Sequence, residues 1–112
     1  MLGKLLLSLT LAIVFAVPAM AEDTAIIYGA VSADGAPLDA TLITAIGEAT
    51  YTSRNAVTDD RGVYLMENLP RDEYMIRALA QPEGVYEPGE ANVFVGEGAK
   101  KEVNFSLQKL GE

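Results

Sequence analysis

The chain has 112 residues, with no cysteine and no histidine. That composition excludes disulfide staples, imidazole general bases, Ser-His-Asp and Cys-His nucleophile pairs, and ordinary zinc or copper sites, so any catalysis would rest on carboxylates, Tyr, Lys or Arg. Sixteen acidic residues against eight basic ones give a net charge of −8, a surface that repels nucleic-acid phosphates and anionic membranes and favours cationic partners.

Residues 1–21 read as a cleavable signal peptide. Lys4 supplies a positive start, and Leu5 to Val17 is an apolar run too short to span a bilayer comfortably. Pro18 breaks the run, and Ala19-Met20-Ala21 offers small residues for cleavage before Glu22. Without cysteine the chain cannot be lipidated as an exported lipoprotein, so no stable membrane anchor is expected after cleavage. Residues 22–112 then form one domain with a single core.

Along that domain the hydrophobic period is two almost everywhere, and no segment sustains a helical repeat. The first strand is predicted from about Thr24 to Val31, with Ile27, Gly29 and Val31 on one face. Asp34-Gly35 is a strong turn signal. Leu38 to Ile46 reads as the second strand, with Thr41, Ile43 and Ala45 inward, and Gly47 to Arg54 as a loop. A short third strand at Asn55 to Thr58 enters the turn Asp59-Asp60-Arg61-Gly62, where carboxylates precede a residue free to take positive φ. The fourth strand carries Tyr64 and Met66 inward to about Glu67, before Pro70. The fifth, Glu73 to Ala80, alternates Tyr74, Ile76 and Ala78 against Met75, Arg77 and Leu79. Gln81 to Gly89 is the longest predicted loop, and the last two strands are Ala91 to Val95 and Lys101 to Leu107. Seven short strands separated by turn signals predict an all-β, antiparallel sandwich.

In order and spacing these residues resemble the carboxypeptidase regulatory-like domain, also described as transthyretin-like or prealbumin-like. Gly29-Ala30-Val31 matches the G-x-V element of that family. Gly35-Ala36-Pro37-Leu38 starts the second element, but Ala40-Thr41 stands where Gly-Ala is usual. Thr58-Asp59-Asp60-Arg61-Gly62-Val63-Tyr64 matches the third element without a gap. Leu69-Pro70-Arg71-Asp72-Glu73-Tyr74 matches the fourth, with Asp72 replacing a glycine; aspartate tolerates left-handed geometry better than most residues, so the turn is expected to survive. The resemblance implies a seven-stranded Greek-key sandwich used for folding support, interdomain contact or binding rather than catalysis. Related purine-pathway hydrolases depend on histidines, and intradiol dioxygenases hold iron through Tyr and His; this chain lacks the histidine for either. A pilin-type Lys–Asn isopeptide is also not expected, since Asn104 lies in the last strand but the first strand contains no lysine.

Several groups are candidates for binding. Asp59 and Asp60 can offer oxygens to Ca²⁺, but their spacing lacks the D-x-D-x-D-G ladder and turn formation is the preferred explanation. Tyr51, Tyr86 and Phe94 can form an aromatic platform, for glycans for example, or pack in the core. Glu83, Glu87 and Glu90 flank the long loop and can meet a basic partner or simply be solvated. Lys100-Lys101 can discourage edge pairing. No catalytic residue and no cofactor is assigned. The expected role is an exported, periplasmic or extracellular, non-catalytic accessory or binding module. Its expected partner is another envelope or extracellular protein, met through loops or an exposed strand edge. The alternatives are a carbohydrate- or Ca²⁺-binding module and, last, a small carboxylate-based hydrolase.

Overall fold

A computed structural model describes residues 23–111. The expected signal peptide, residues 1–21, lies outside the described residues. Nine strands occur among them: β1 Ala25–Ala33, β2 Ala36–Pro37, β3 Leu42–Gly47, β4 Ser53–Val57, β5 Val63–Leu69, β6 Asp72–Leu79, β7 Gly89–Val95, β8 Lys100–Glu102 and β9 Phe105–Ser106. They form two sheets. One holds β2, β1 and β5, with β8 and β9 also paired to β1; the other runs in the order β4-β3-β6-β7.

The expectation of seven strands is corrected at two places, each with a local cause. Asp34 and Gly35 both take positive φ, 52° and 78°, the geometry whose twist matches that of a two-residue hairpin. The chain therefore doubles back at once, and Ala36–Pro37 pairs with Ser32 and Ala33. The second correction is at the end of the chain, where one expected strand is two. At the joint between β8 and β9, the Val103 carbonyl lies where a Cβ on Gly29 would stand. Side-chain and main-chain bonds hold the crossing: Val103 N–H donates to Tyr28 O at 2.8 Å, and Ala30 N–H donates to Asn104 Oδ1 at 2.8 Å. Both β8 and β9 run parallel to β1, so the sandwich is not wholly antiparallel.

Inward positions agree with the period-two reading. Ile27 and Val31 of β1, Ile43 and Ala45 of β3, Tyr64 and Met66 of β5, and Tyr74, Ile76 and Ala78 of β6 are all buried. Burying a large apolar side chain contributes roughly 1.5–3 kcal/mol. The two buried tyrosines bring hydroxyls into this core and satisfy them. Tyr64 O–H donates to Val103 O at 2.6 Å, and Tyr74 O–H donates to Pro70 O. Desolvation raises the pKa of both phenols, so they stay protonated donors.

Strand β5 contains a bulge. Ala25 faces Leu69 while Ile27 faces Met66, which leaves one extra residue on β5. Asn68 takes φ 59° there, and Glu67 and Asn68 are both exposed. The left-handed residue of this turn region is thus Asn68. Asp72, expected to replace a glycine in that geometry, instead begins β6 and is buried.

Candidate functional site

The Asp59 turn is built by its own carboxylate. Asp59 Oδ1 accepts Arg61 N–H at 2.9 Å and Val63 N–H at 3.0 Å, and Arg61 Nη2 lies 3.5 Å from Oδ2. The Val63 N–H is the main cause of a lowered Asp59 pKa, with the Arg61 contacts adding to it against some desolvation. Gly62 is required here twice over: its φ is +74°, and a Cβ would press on the Val31 carbonyl. The structure uses Asp59 as a cap and leaves Asp60 exposed beside it. Among the described residues no group of three His, Cys, Asp or Glu side chains is placed to hold a metal ion.

The three aromatics do not assemble. Tyr86 lies in the β6–β7 loop, packs partly against the core and bridges to Lys109. Tyr51 and Phe94 belong to the opposite end, where Glu73 pairs with Phe94 and Glu48 N–H donates to Glu73 O. Tyr51 is 84% exposed and Phe94 48%, so the core-packing alternative fails for both. Of the three loop glutamates, Glu90 faces Arg77 at 3.8 Å, and Glu87 uses its backbone N–H to fasten the loop to Gln108 O.

A surface of which the sequence nominated only Tyr51 and Phe94 lies on the solvent side of the β4-β3-β6-β7 sheet. Its foundation is Asp72. Buried at the start of β6, its carboxylate accepts the N–H groups of Ala49 and Thr50, at 3.1 and 2.8 Å, and the Thr50 hydroxyl at 2.7 Å. It also accepts its neighbour's N–H, Glu73, at 2.7 Å. These donors, Thr50 N–H foremost, hold the Asp72 pKa down at about 2 despite desolvation. The carboxylate thereby fixes the β3–β4 loop against β6. Gly47 fits beneath it because a Cβ there would collide with Asp72.

The loop so fixed presents Tyr51 at φ 57°, a conformation that costs a bulky residue energy and persists only where the surroundings impose it. Next to it, register places Ile46 against Met75 and Met75 against Asn92. Ile46 and Met75 are 43% and 47% exposed. Together with Glu48, Glu73 and Asn92 they line a hollow of about 420 Å³. The Arg71 guanidinium lies 5.5 Å from the centre of the Phe94 ring, a cation–π arrangement. Outward phase on β3, β6 and β7 was the available signal for these residues, but periodicity alone does not tell which strands are neighbours.

The opposite flank has open edges. Among the described residues, β4 pairs only with β3, and β5 only with β1. Arg54 bridges the two, donating from Nη2 to Asn68 O at 3.2 Å.

Comparison with solved structures places this chain in known company. It is similar to the TIE protein of Bacillus anthracis, with a TM-score of 0.62 at 16% identity, over 77% of this chain and 16% of that one. It is similar to the minor pilin GBS52 of Streptococcus agalactiae, at TM-score 0.62 and 15% identity, over 83% of this chain and 48% of that one. A Bacteroides uniformis protein ascribed a carbohydrate-binding role matches at TM-score 0.56 and 15% identity, over 77% of this chain and 42% of that one. At these identities the likeness is one of fold, and the chain spans under half the length of each of the three. A sequence comparison with curated proteins finds no match. The carboxypeptidase regulatory-like domain matches residues 26–108, and it is to that family that the chain belongs.

Proposed function

We propose that this protein is an exported, periplasmic or extracellular, non-catalytic module that binds another protein on the outer face of its four-stranded sheet. One observation carries the reading: Ile46, Met75 and Phe94 stand exposed on a sheet face that is normally polar in an antiparallel sandwich. A loop clamped by Asp72 borders them, so the surface is preformed and little ordering is needed on binding. Family membership and the fold shared with a pilin support a role in contact rather than chemistry. Glu48 and Glu73 line one hollow, yet a carboxylate hydrolase needs one acid kept protonated in a dry site. Glu48 is exposed on an open face.

The test is placement of a photocrosslinking residue at Met75, Phe94, Asp39 or Lys109 in producing cells. A discrete protein adduct from the first two positions only is expected. Equal adducts from all four, or turnover by the purified protein, would overturn the reading.

The exposed Tyr51 favours a second reading, glycan binding, because an aromatic ring can stack on a sugar face. Titration with glycans on an array, with Tyr51→Ala as the comparison, separates it: signal lost in the variant would favour the sugar.

A further inference from the structure

Resting on that reading of the outer face, we infer that its hollow seats an arginine or lysine side chain from an extended, basic segment of the partner. The stem of such a side chain would lie on Ile46 and Met75, and its cationic end would meet Glu48 and Glu73.

Three observations lead to this occupant. First, the lining combines an apolar floor with two carboxylates and the Asn92 amide, which suits a long aliphatic chain ending in a cation. Second, the carboxylates are unspent: among the described residues the ion pairs are Arg61 with Asp59 and Arg77 with Glu90, and neither Glu48 nor Glu73 accepts a side-chain hydrogen bond. Arg71, the cation beside Phe94, forms no ion pair with either of them. Third, the whole chain carries −8, so its field draws cationic segments and repels acidic ones before contact. A metal ion would find too few ligands, as no group of three acidic or soft donors is present among the described residues. An anion would meet two negative groups.

The experiment uses the purified protein and three flexible Gly-Ser peptides of equal length, carrying three arginines, three lysines or three citrullines. Backbone amide NMR shifts report where each binds, and fluorescence polarisation reports affinity. Arginine and lysine peptides are expected to shift residues 46, 48, 73, 75 and 92, with affinity falling as salt rises. The citrulline peptide, which keeps the shape and loses the charge, should shift none of them. The E48Q/E73Q variant should bind the arginine peptide roughly three- to tenfold more weakly. E83Q/E97Q, which removes the same charge elsewhere, should stay within about twofold.

Equal weakening by both double variants would assign the binding to diffuse acidity and overturn the inference. Equal binding of the citrulline peptide would do the same, and it leaves the protein sequence untouched, so the result stands however the variants fold. If Met75 still crosslinks a partner in cells while citrulline and arginine peptides behave alike, the outer-face reading survives and the cationic occupant does not.

Discussion

Ala40 carries a φ of 57°, at the position where the related pattern has glycine. An L-residue in the left-handed region costs roughly 1–2 kcal/mol, partly offset because glycine is the floppier residue when unfolded. Ala40→Gly is therefore expected to stabilise the domain by about 0.5–1 kcal/mol, seen as a higher denaturant midpoint at unchanged slope. Asp72 has a pH signature with a definite sign. Its folded pKa is about 2, below the ordinary 3.8, so the stabilisation it provides is complete above about pH 4 and is lost as pH falls toward 2. Thermal melts from pH 6 to pH 2 should show this decline, and Asp72→Asn should melt lower at neutral pH while the gap closes in acid. A gap constant with pH would assign the effect to shape rather than charge. The turn glycines and the Asp59 cap were legible from residue type alone. Asp72 was not, because its role depends on Ala49 and Thr50, which are distant in sequence and reach it only once β3 and β6 are paired.

Among the elements, the joint between β8 and β9 depends on the space above Gly29. A methyl there must displace the Val103 backbone, so Gly29→Ala is expected to cost about 3 kcal/mol. Gly96→Ala, whose new Cβ would have only Phe94 nearby at 3.9 Å, should lie within about 0.5 kcal/mol of the parent. Chemical denaturation of the two variants gives the comparison. The open edge of β5 has its own readout. Val31 N–H donates to Gly62 O, which fixes the phase: Tyr64 and Met66 bond toward β1 and the alternate residues face away. Val63 is engaged with Asp59, its N–H to the carboxylate and its C=O to the backbone, leaving Leu65 and Glu67 toward solvent. Their amides should exchange with deuterium at least about tenfold faster than those of Tyr64 and Met66. Strand positions were legible because period two survives in almost every segment. The split of the last strand was not: Gly29 and Val103 lie far apart in the chain, and nothing local to residues 101–107 marks an interruption.

For the molecule as a whole, alternation predicts two layers but not their membership. That β5 returns beside β1 while β4 stays with β3 is decided by packing, and this assortment is also what brings Ile46, Met75 and Asn92 into one row. For that reason Phe94 and Tyr51 were legible as candidate binding aromatics, but their grouping with Ile46, Met75 and the two glutamates was not, although each residue lay in a strand or loop already outlined. Its binding should be electrostatically steered, with association slowing as salt rises, and Met75→Glu should weaken partner capture by tenfold or more, about 1.4 kcal/mol. The placement of β1 has a further consequence. It is flanked by β5 on one side and by β8 and β9 on the other, so the flank opposite β5 is filled only by the last two strands of the described residues. Assembly must wait for β8 and β9: a polypeptide stopped before Lys100 would leave one side of β1 unpaired along residues 26–28 and 31–32. Long-range closure of this kind places refolding in the slower millisecond-to-second range, and a nascent-chain series lengthened past Ser106 should gain protease resistance in a single late step.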